Sequence, residues 1–346
     1  TIDEIPNKKA VKRTMGYSVK RNRKPKTGRK GWLIVLAVLL AAVVAGGTLL
    51  LALHQQQGDS SGSAGDPATS GAVTKPRKTL PQDFIDRNTS SRYVILSNVT
   101  KGEVLYSKAA NEKAYPASLT KLMTAIVAVE NCPVDTVLTV GEEITYIDRE
   151  SSRAYLTTGS RLTLNQLLKA LLLPSGNDAA YAIAAQVGRK IAGNDSLAPR
   201  SAIAQFVTKM NEKAAALGCT GTHFANPDGI HDPNHYTTAA DMLKIATAAL
   251  QKAEIAGVVS LAQTTETFPS GQTVTWKNSN KLVRQDNAFA YDGATGMKTG
   301  STNEAGYCLI ASAVRDGQTS IAVVMGSKVE SGRWEDASGL LDISFE

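Results

Sequence analysis

Ser118 and Lys121 stand three residues apart in YPASLTKLMTAIVAVE, residues 115–130. A serine hydroxyl is a weak nucleophile until a base takes its proton. A lysine is such a base only when neutral, which requires desolvation or a second cation close by. Pro116 disfavours helix at Tyr115, and the apolar-periodic run begins directly after Ser118. The spacing therefore predicts Ser118 at a helix start with Lys121 on the same face, about 5–6 Å away at Cβ. Unsatisfied amides at such a start are placed to receive an oxyanion, and Leu119, Leu122 and Met123 can desolvate the lysine. Taken alone, Ser-x-x-Lys also reads as an N-cap serine followed by a surface lysine.

Two further stretches carry chemistry. In LLLPSGND, residues 171–178, Pro174 and Gly176 end one helix and Asn177-Asp178 begins another. Ser175 and Asn177 thus occupy a tight turn from which short polar groups can enter a cleft; the plainer reading is helix capping. In GMKTGS, residues 296–301, Lys298 offers a cation and Thr299 a hydroxyl. Gly300 permits close approach to the strand backbone. Such a pair can hold a carboxylate while the attached peptide lies along the strand edge.

The elements that must position these groups show in the periodicity. Residues 93–99 and 104–106 read as one hairpin about 101–103, and residues 307–314 and 319–325 as a second, joined by the four residues 315–318. Between them, 119–130, 164–173, 178–187, 202–217 and 239–250 show apolar spacing near 3.6. Thr238 and Asp241 resemble a capping box at the last of these. Strands at both ends around a helical middle predict one antiparallel sheet built from the two ends of the domain and covered by helices.

Composition divides the chain. Residues 1–30 hold eleven Lys/Arg against two Asp/Glu, whereas the rest holds 27 against 29. The net charge of +7 therefore belongs to the tail and gives the folded part no case for binding nucleic acid. Residues 31–53 carry no charge over 23 positions, enough to span a bilayer core of roughly 30 Å. The flanking basic residues predict a cytoplasmic N-terminus, a retained single-pass membrane helix rather than a cleaved signal peptide, and an extracytoplasmic domain. Residues 54–80 read as a flexible linker and 81–346 as the catalytic domain. Cys132, Cys219 and Cys308 form no CxxC pair and suggest no disulfide framework. His231 and His235 are separated by Pro233 and belong to no HExxH, so a shared metal is not expected.

Ser-x-x-Lys, Ser-x-Asn and Lys-Thr-Gly occur in that order on a helix start, a helix–helix turn and a strand. That motif set is shared by penicillin-binding proteins and class A β-lactamases. Together with 224–242, 276–283 and 293–313, it makes residues 81–346 similar to the low-molecular-mass D-alanyl-D-alanine carboxypeptidases. The resemblance implies an α+β (α/β sandwich) fold of β-lactamase/transpeptidase type, with a helical cluster inserted into an antiparallel sheet. It implies an acyl-enzyme on Ser118, Lys121 as general base and Ser175 as proton relay. By the same resemblance, Asn177 binds the substrate amide, Lys298, Thr299, Gly300 and Arg333 form the carboxylate side, and the amides of Ser118 and Ser301 form the oxyanion hole. Peptidoglycan stem peptides would be the substrate and β-lactams covalent inhibitors, without cofactor or metal. Asp228 stands where relatives often carry His in an Asn-Pro-His-Gly stretch. No Glu-x-x-Leu-Asn follows Asn177, which argues against β-lactamase turnover. A DD-endopeptidase acting on cross-links and a non-catalytic muropeptide- or β-lactam-binding module are the alternatives.

Overall fold

Backbone pairing begins where the β-branched and aromatic residues begin. In the computed structural model, which describes residues 89–346 apart from Pro269, Tyr93–Asn98 (β1) pairs antiparallel with Glu103–Lys108 (β2). The basic tail, the apolar 31–53 segment, the linker and the first residues assigned to the domain lie outside the described residues. Among those described, no helix is long and apolar enough to cross a membrane.

The helical middle follows. Lys121–Asn131 (α1) is buried on every side over Lys121–Ala128, with Lys121 and Thr124 the two polar side chains in an otherwise apolar stretch. A two-stranded pairing of Val137–Thr139 (β3) with Arg161–Thr163 (β4) leads into Leu164–Leu172 (α2). A reciprocal cap starts α2: Gln166 N donates to Thr163 Oγ1 and Thr163 N donates to Gln166 Oε1. Asn177–Ala192 (α3) runs longer than its apolar periodicity indicated and ends at left-handed Gly193. Pro199–Ala216 (α4) has its proline in the first turn, where the missing N–H is harmless. Ala239–Leu250 (α5) is capped by Thr238, whose Oγ1 accepts from Asp241 N at 3.0 Å. The other half of the predicted capping box is replaced: Asp241 Oδ2 accepts from Gly221 N and Thr222 Oγ1. Ala253–Val259 (α6) and the hairpin of Gln263–Thr267 (β5) with Thr273–Lys277 (β6) complete this half.

Ala294–Thr302 (β7), Gly306–Arg315 (β8) and Gln318–Ser327 (β9) then form a meander. The connection read as four residues is two. Arg315 pairs with Gln318, and only Asp316 and Gly317 turn, both at positive φ, the geometry whose twist suits a two-residue hairpin. β1 pairs with β9, giving a five-stranded sheet in the order β2-β1-β9-β8-β7. Among the described residues the first and last strands are thus neighbours in the sheet, and β7 is an edge.

Both sheet faces are covered. Ile95, Ile321, Val323 and Met325 join the helical cluster in one core. Val94, Leu96, Ala322 and Val324 face a second core built on Trp334, Ala337, Leu340 and Leu341. Those four belong to Glu330–Phe345 (α7), a helix the sequence reading did not assign. Asp336 of α7 holds the start of the domain, accepting from Ser90 N, Ser90 Oγ and Ser91 N at 3.0, 3.0 and 2.7 Å. All three cysteines are buried and free.

Candidate active site

Ser118 does not begin an α-helix. It lies in a 3₁₀ turn, Ala117–Thr120, with α1 starting at Lys121. Three residues per turn eclipse positions i and i+3, which brings Lys121 Nζ to 2.7 Å from Ser118 Oγ. The turn is entered through Ala117 at φ +47°, a left-handed conformation that costs an L-residue about 1–2 kcal/mol. Two glycines hold it. A Cβ on Gly229 would collide with Ala117 O, and one on Gly300 would fall 2.9 Å from Ser118 N. Thr120 Oγ1 donates to Ala117 O at 2.8 Å and meets His235 Nε2 at 2.8 Å. His235 Nδ1 accepts from Ala225 N, so Nε2 bears the proton and donates to Thr120. Burial pushes His235 down to about 3 and keeps it neutral.

Lys121 is fully buried. Its ammonium donates at 2.7 Å to each of Ser118 Oγ, Asn177 Oδ1 and Asp228 O. Burial lowers its pKa to about 8, against the Asp228 and Asp178 carboxylates, which favour the cation. Asp228 is itself buried and raised above the ordinary carboxylate range by that burial. Its loop is fastened to α1 a second time through Thr124 Oγ1 donating to Pro227 O.

Ser175 occupies the predicted turn between α2 and α3, at φ +65°. Asn177 is the first residue of α3. A segment the sequence did not flag ties this turn down. Ser152 Oγ donates to Ser175 O, and Asn177 N donates to Ser152 O. Asp178 accepts from Ala154 N and Leu156 N at 2.9 and 3.0 Å. The neighbouring Asp148, Glu150, Ser151 and Ser152 line the cleft wall.

The third group lies on edge strand β7. Thr299 Oγ1 is 2.7 Å from Ser279 Oγ, a partner absent from the sequence reading. Arg333 reaches from α7 to donate to Gly300 O at 3.3 Å, with its guanidinium over the Tyr307 and Trp334 rings. Lys298 is fully buried and donates to Thr299 O. Burial first, then the Lys121 and Arg333 charges, hold it well below the usual lysine range. Met297 is core, whereas Tyr307 is half-buried. His231 packs edge-on against Tyr115 with Nδ1 4.0 Å from Glu304 Oε2.

Ser118, Ser175, Asn177, Thr299, Gly300, Ser301 and Arg333 together line a cleft of about 510 Å³. Lys121 and Lys298 sit beneath it, so the structure gathers all nine predicted residues while keeping both lysines off the open surface. A serine hydroxyl on a buried, pKa-depressed amine, facing a strand edge with the Thr299 hydroxyl and the Arg333 guanidinium beside it, suits acyl transfer from a substrate that ends in a carboxylate.

Comparison with known proteins agrees with this geometry. The family model described as D-alanyl-D-alanine carboxypeptidase matches residues 78–329. A D-alanyl-D-alanine carboxypeptidase of a Streptomyces species is 35% identical over 288 residues, covering 81% of this chain and 91% of that protein. The Bacillus subtilis carboxypeptidase DacF is 32% identical over 258 residues, covering 74% of this chain and 62% of DacF. The crystal structure of a Streptomyces DD-transpeptidase superposes with a TM-score of 0.68 at 34% identity, over 74% of this chain and 97% of that one. With the motifs, the sheet and the matched span in agreement, the chain belongs to the D-alanyl-D-alanine carboxypeptidase family of serine peptidases and has the penicillin-binding DD-peptidase fold.

Proposed function

We propose that the chain removes the terminal D-Ala from peptidoglycan pentapeptide stems through an acyl-enzyme on Ser118. The observation that carries this reading is the 2.7 Å contact between Ser118 Oγ and the amine of fully buried Lys121. Neutral Lys121 takes the hydroxyl proton as Oγ attacks the carbonyl of the penultimate D-Ala. The amides of Ser118 and Ser301 receive the oxyanion, a contact worth about 3–4 kcal/mol per donor. Ser175 relays the proton taken up by Lys121 to the departing D-Ala amine as the C–N bond breaks, and Asn177 binds the substrate amide. Thr299 and Arg333 meet the terminal carboxylate at the cleft surface, and buried Lys298 braces the strand behind them by donating to Thr299 O. Water then attacks the ester and frees Ser118. β-Lactams acylate the same oxygen, since they place a strained amide beside a carboxylate.

The test is to label the full chain with fluorescent penicillin and locate the adduct by peptide mass mapping. Label on Ser118 that disappears in Ser118→Ala is expected; a folded chain that takes no label would overturn the mechanism. A second reading, transfer of the acyl group to an amine, draws support from the likeness to a DD-transpeptidase. Adding an amino-acid acceptor and scoring aminolysis against hydrolysis separates the two, and a cross-linked dimer substrate tests endopeptidase action. For the N-terminal part, the charge pattern supports a cytoplasmic tail (1–30), a membrane helix (31–53), a linker (54–80) and an extracytoplasmic domain. Extraction of the full chain by alkaline carbonate would refute that anchor.

A further inference from the structure

A second cavity, larger than the cleft at about 810 Å³, opens at the turn end of the sheet. It shares Ser301 and Thr302 with the catalytic cleft, so the two adjoin at the last residues of β7. Three cations from separate parts of the chain line it: Arg92 ahead of β1, Lys113 ahead of the nucleophile turn, and Lys328 after β9. Glu304 is the one carboxylate in that lining. Arg92 is engaged by Glu112 at 3.4 Å, and Lys113 lies over the Tyr236 ring at 4.2 Å. Lys328 is exposed, and among the described residues its ammonium has no ion pair or hydrogen bond. Tyr115 and Tyr307 add aromatic surface.

The direction of the substrate follows from the proposed function, on which this inference rests. If the terminal carboxylate sits at Thr299 and the scissile carbonyl at Ser301 N, the peptide runs antiparallel to β7. Its upstream residues are then carried past Thr302, toward the second cavity. Three extended residues cover about 10 Å, which carries the upstream half of a stem well beyond the Ser301 amide. We infer that the cavity bounded by Arg92, Lys113 and Lys328 is the subsite for the upstream, acyl-side residues of the stem, and that it favours stems bearing a free carboxylate there.

The experiment uses the full chain and three substrates. These are L-Ala-γ-D-Glu-L-Lys-D-Ala-D-Ala, the same peptide with the glutamate α-carboxylate amidated, and the short diacetyl-L-Lys-D-Ala-D-Ala. The wild type should prefer the acid pentapeptide over its amide about fivefold in kcat/KM, the scale of one or two exposed charge contacts, and lose that preference in high salt. Lys328→Glu should remove the preference by slowing only the acid form. It should leave the short substrate and penicillin acylation unchanged. Lys113→Ala, on a different element, should act in the same sense. Equal rates on acid and amide in the wild type would overturn the subsite, as would a Lys328→Glu loss shared by the short substrate. Failure of the wild type to release D-Ala from any of the three would instead sink the proposed function, a result distinguishable from both.

Discussion

Replacing Gly300 with alanine puts one methyl group between the substrate strand and the nucleophile. The new Cβ would lie 2.9 Å from Ser118 N, 3.1 Å from Ala117 Cβ and 3.1 Å from Pro116 O. None of these is the end of a flexible side chain, so the methyl cannot be accommodated by a rotamer change. Relief to ordinary contact near 3.5 Å needs a retreat of about half an ångström by β7 or by the turn. Overpacking of this kind costs about 1–3 kcal/mol in stability. The kinetic effect should be larger in proportion. A misplacement of about 1 Å loses roughly 100-fold, so half of that predicts about tenfold slower acylation. The loss rises toward 100-fold or more if the Ser118 amide stops donating. The assay is the second-order rate of labelling by fluorescent penicillin, read beside thermal unfolding of the unlabelled protein. Gly339→Ala is the matched control, because nothing lies within 4 Å of its new Cβ and helix propensity favours alanine by up to about 1 kcal/mol. Wild-type labelling by a folded Gly300→Ala protein would refute the claim that β7 presses on the nucleophile's amide. A drop in stability with an unchanged rate would assign the contact to packing alone.

Lys121 gives a prediction with a definite sign. As a base depressed to about 8, it should make acylation rise with pH through that value, and a rate that is flat from pH 6 to 10 would contradict its role. Between about 8 and its unperturbed 10.5, the unfolded chain binds the extra proton, so stability rises with pH across that window. At about 1.4 kcal/mol per pKa unit the whole effect is roughly 3 kcal/mol. Melting temperature against pH should show this rise in the wild type and lose it in Lys121→Met. Asp178→Ala should cost about 2–4 kcal/mol by leaving the buried amides of Ala154 and Leu156 without an acceptor. Denaturant titration measures that loss, and limited proteolysis should then cut within 148–153; an unchanged midpoint would show that water replaces the carboxylate.

What the sequence shows and hides at this site follows from range. Ser118 and Lys121 are legible because their relation is local, three residues along one turn. Even there, the 3₁₀ geometry depends on Gly229 and Gly300, which press on Ala117 and Ser118 from distant segments. The third acceptor of Lys121 is a main-chain carbonyl 107 residues away, and a carbonyl has no sequence signature. His235 reads as a histidine without metal-ligand spacing; its task of orienting Thr120, 115 residues away, emerges only when the loops meet. The hairpins and long helices are visible because apolar period and turn residues coincide. α7 escapes because Gly332, Gly339 and four acidic residues interrupt its apolar spacing, although Trp334, Ala337 and Leu341 do fall on one face. Ser279 and residues 148–152 hold no apolar period at all, since they serve as cleft wall.

The clasp between Ser90 and Asp336 joins residues 246 positions apart, and β1 finds its central neighbour β9 across nearly the same span. Contacts this remote must close a long loop before they return any stabilisation, which slows folding. A chain made from its N-terminus can form the β1–β2 hairpin and the helical middle early. Until β9 and α7 arrive, however, β1 presents an open apolar edge, and Val94 and Leu96 have nothing to cover them. Such an edge recruits foreign strands. Completion of this fold therefore waits on β9 and α7, and loss of those two elements should yield aggregate rather than a weakened peptidase.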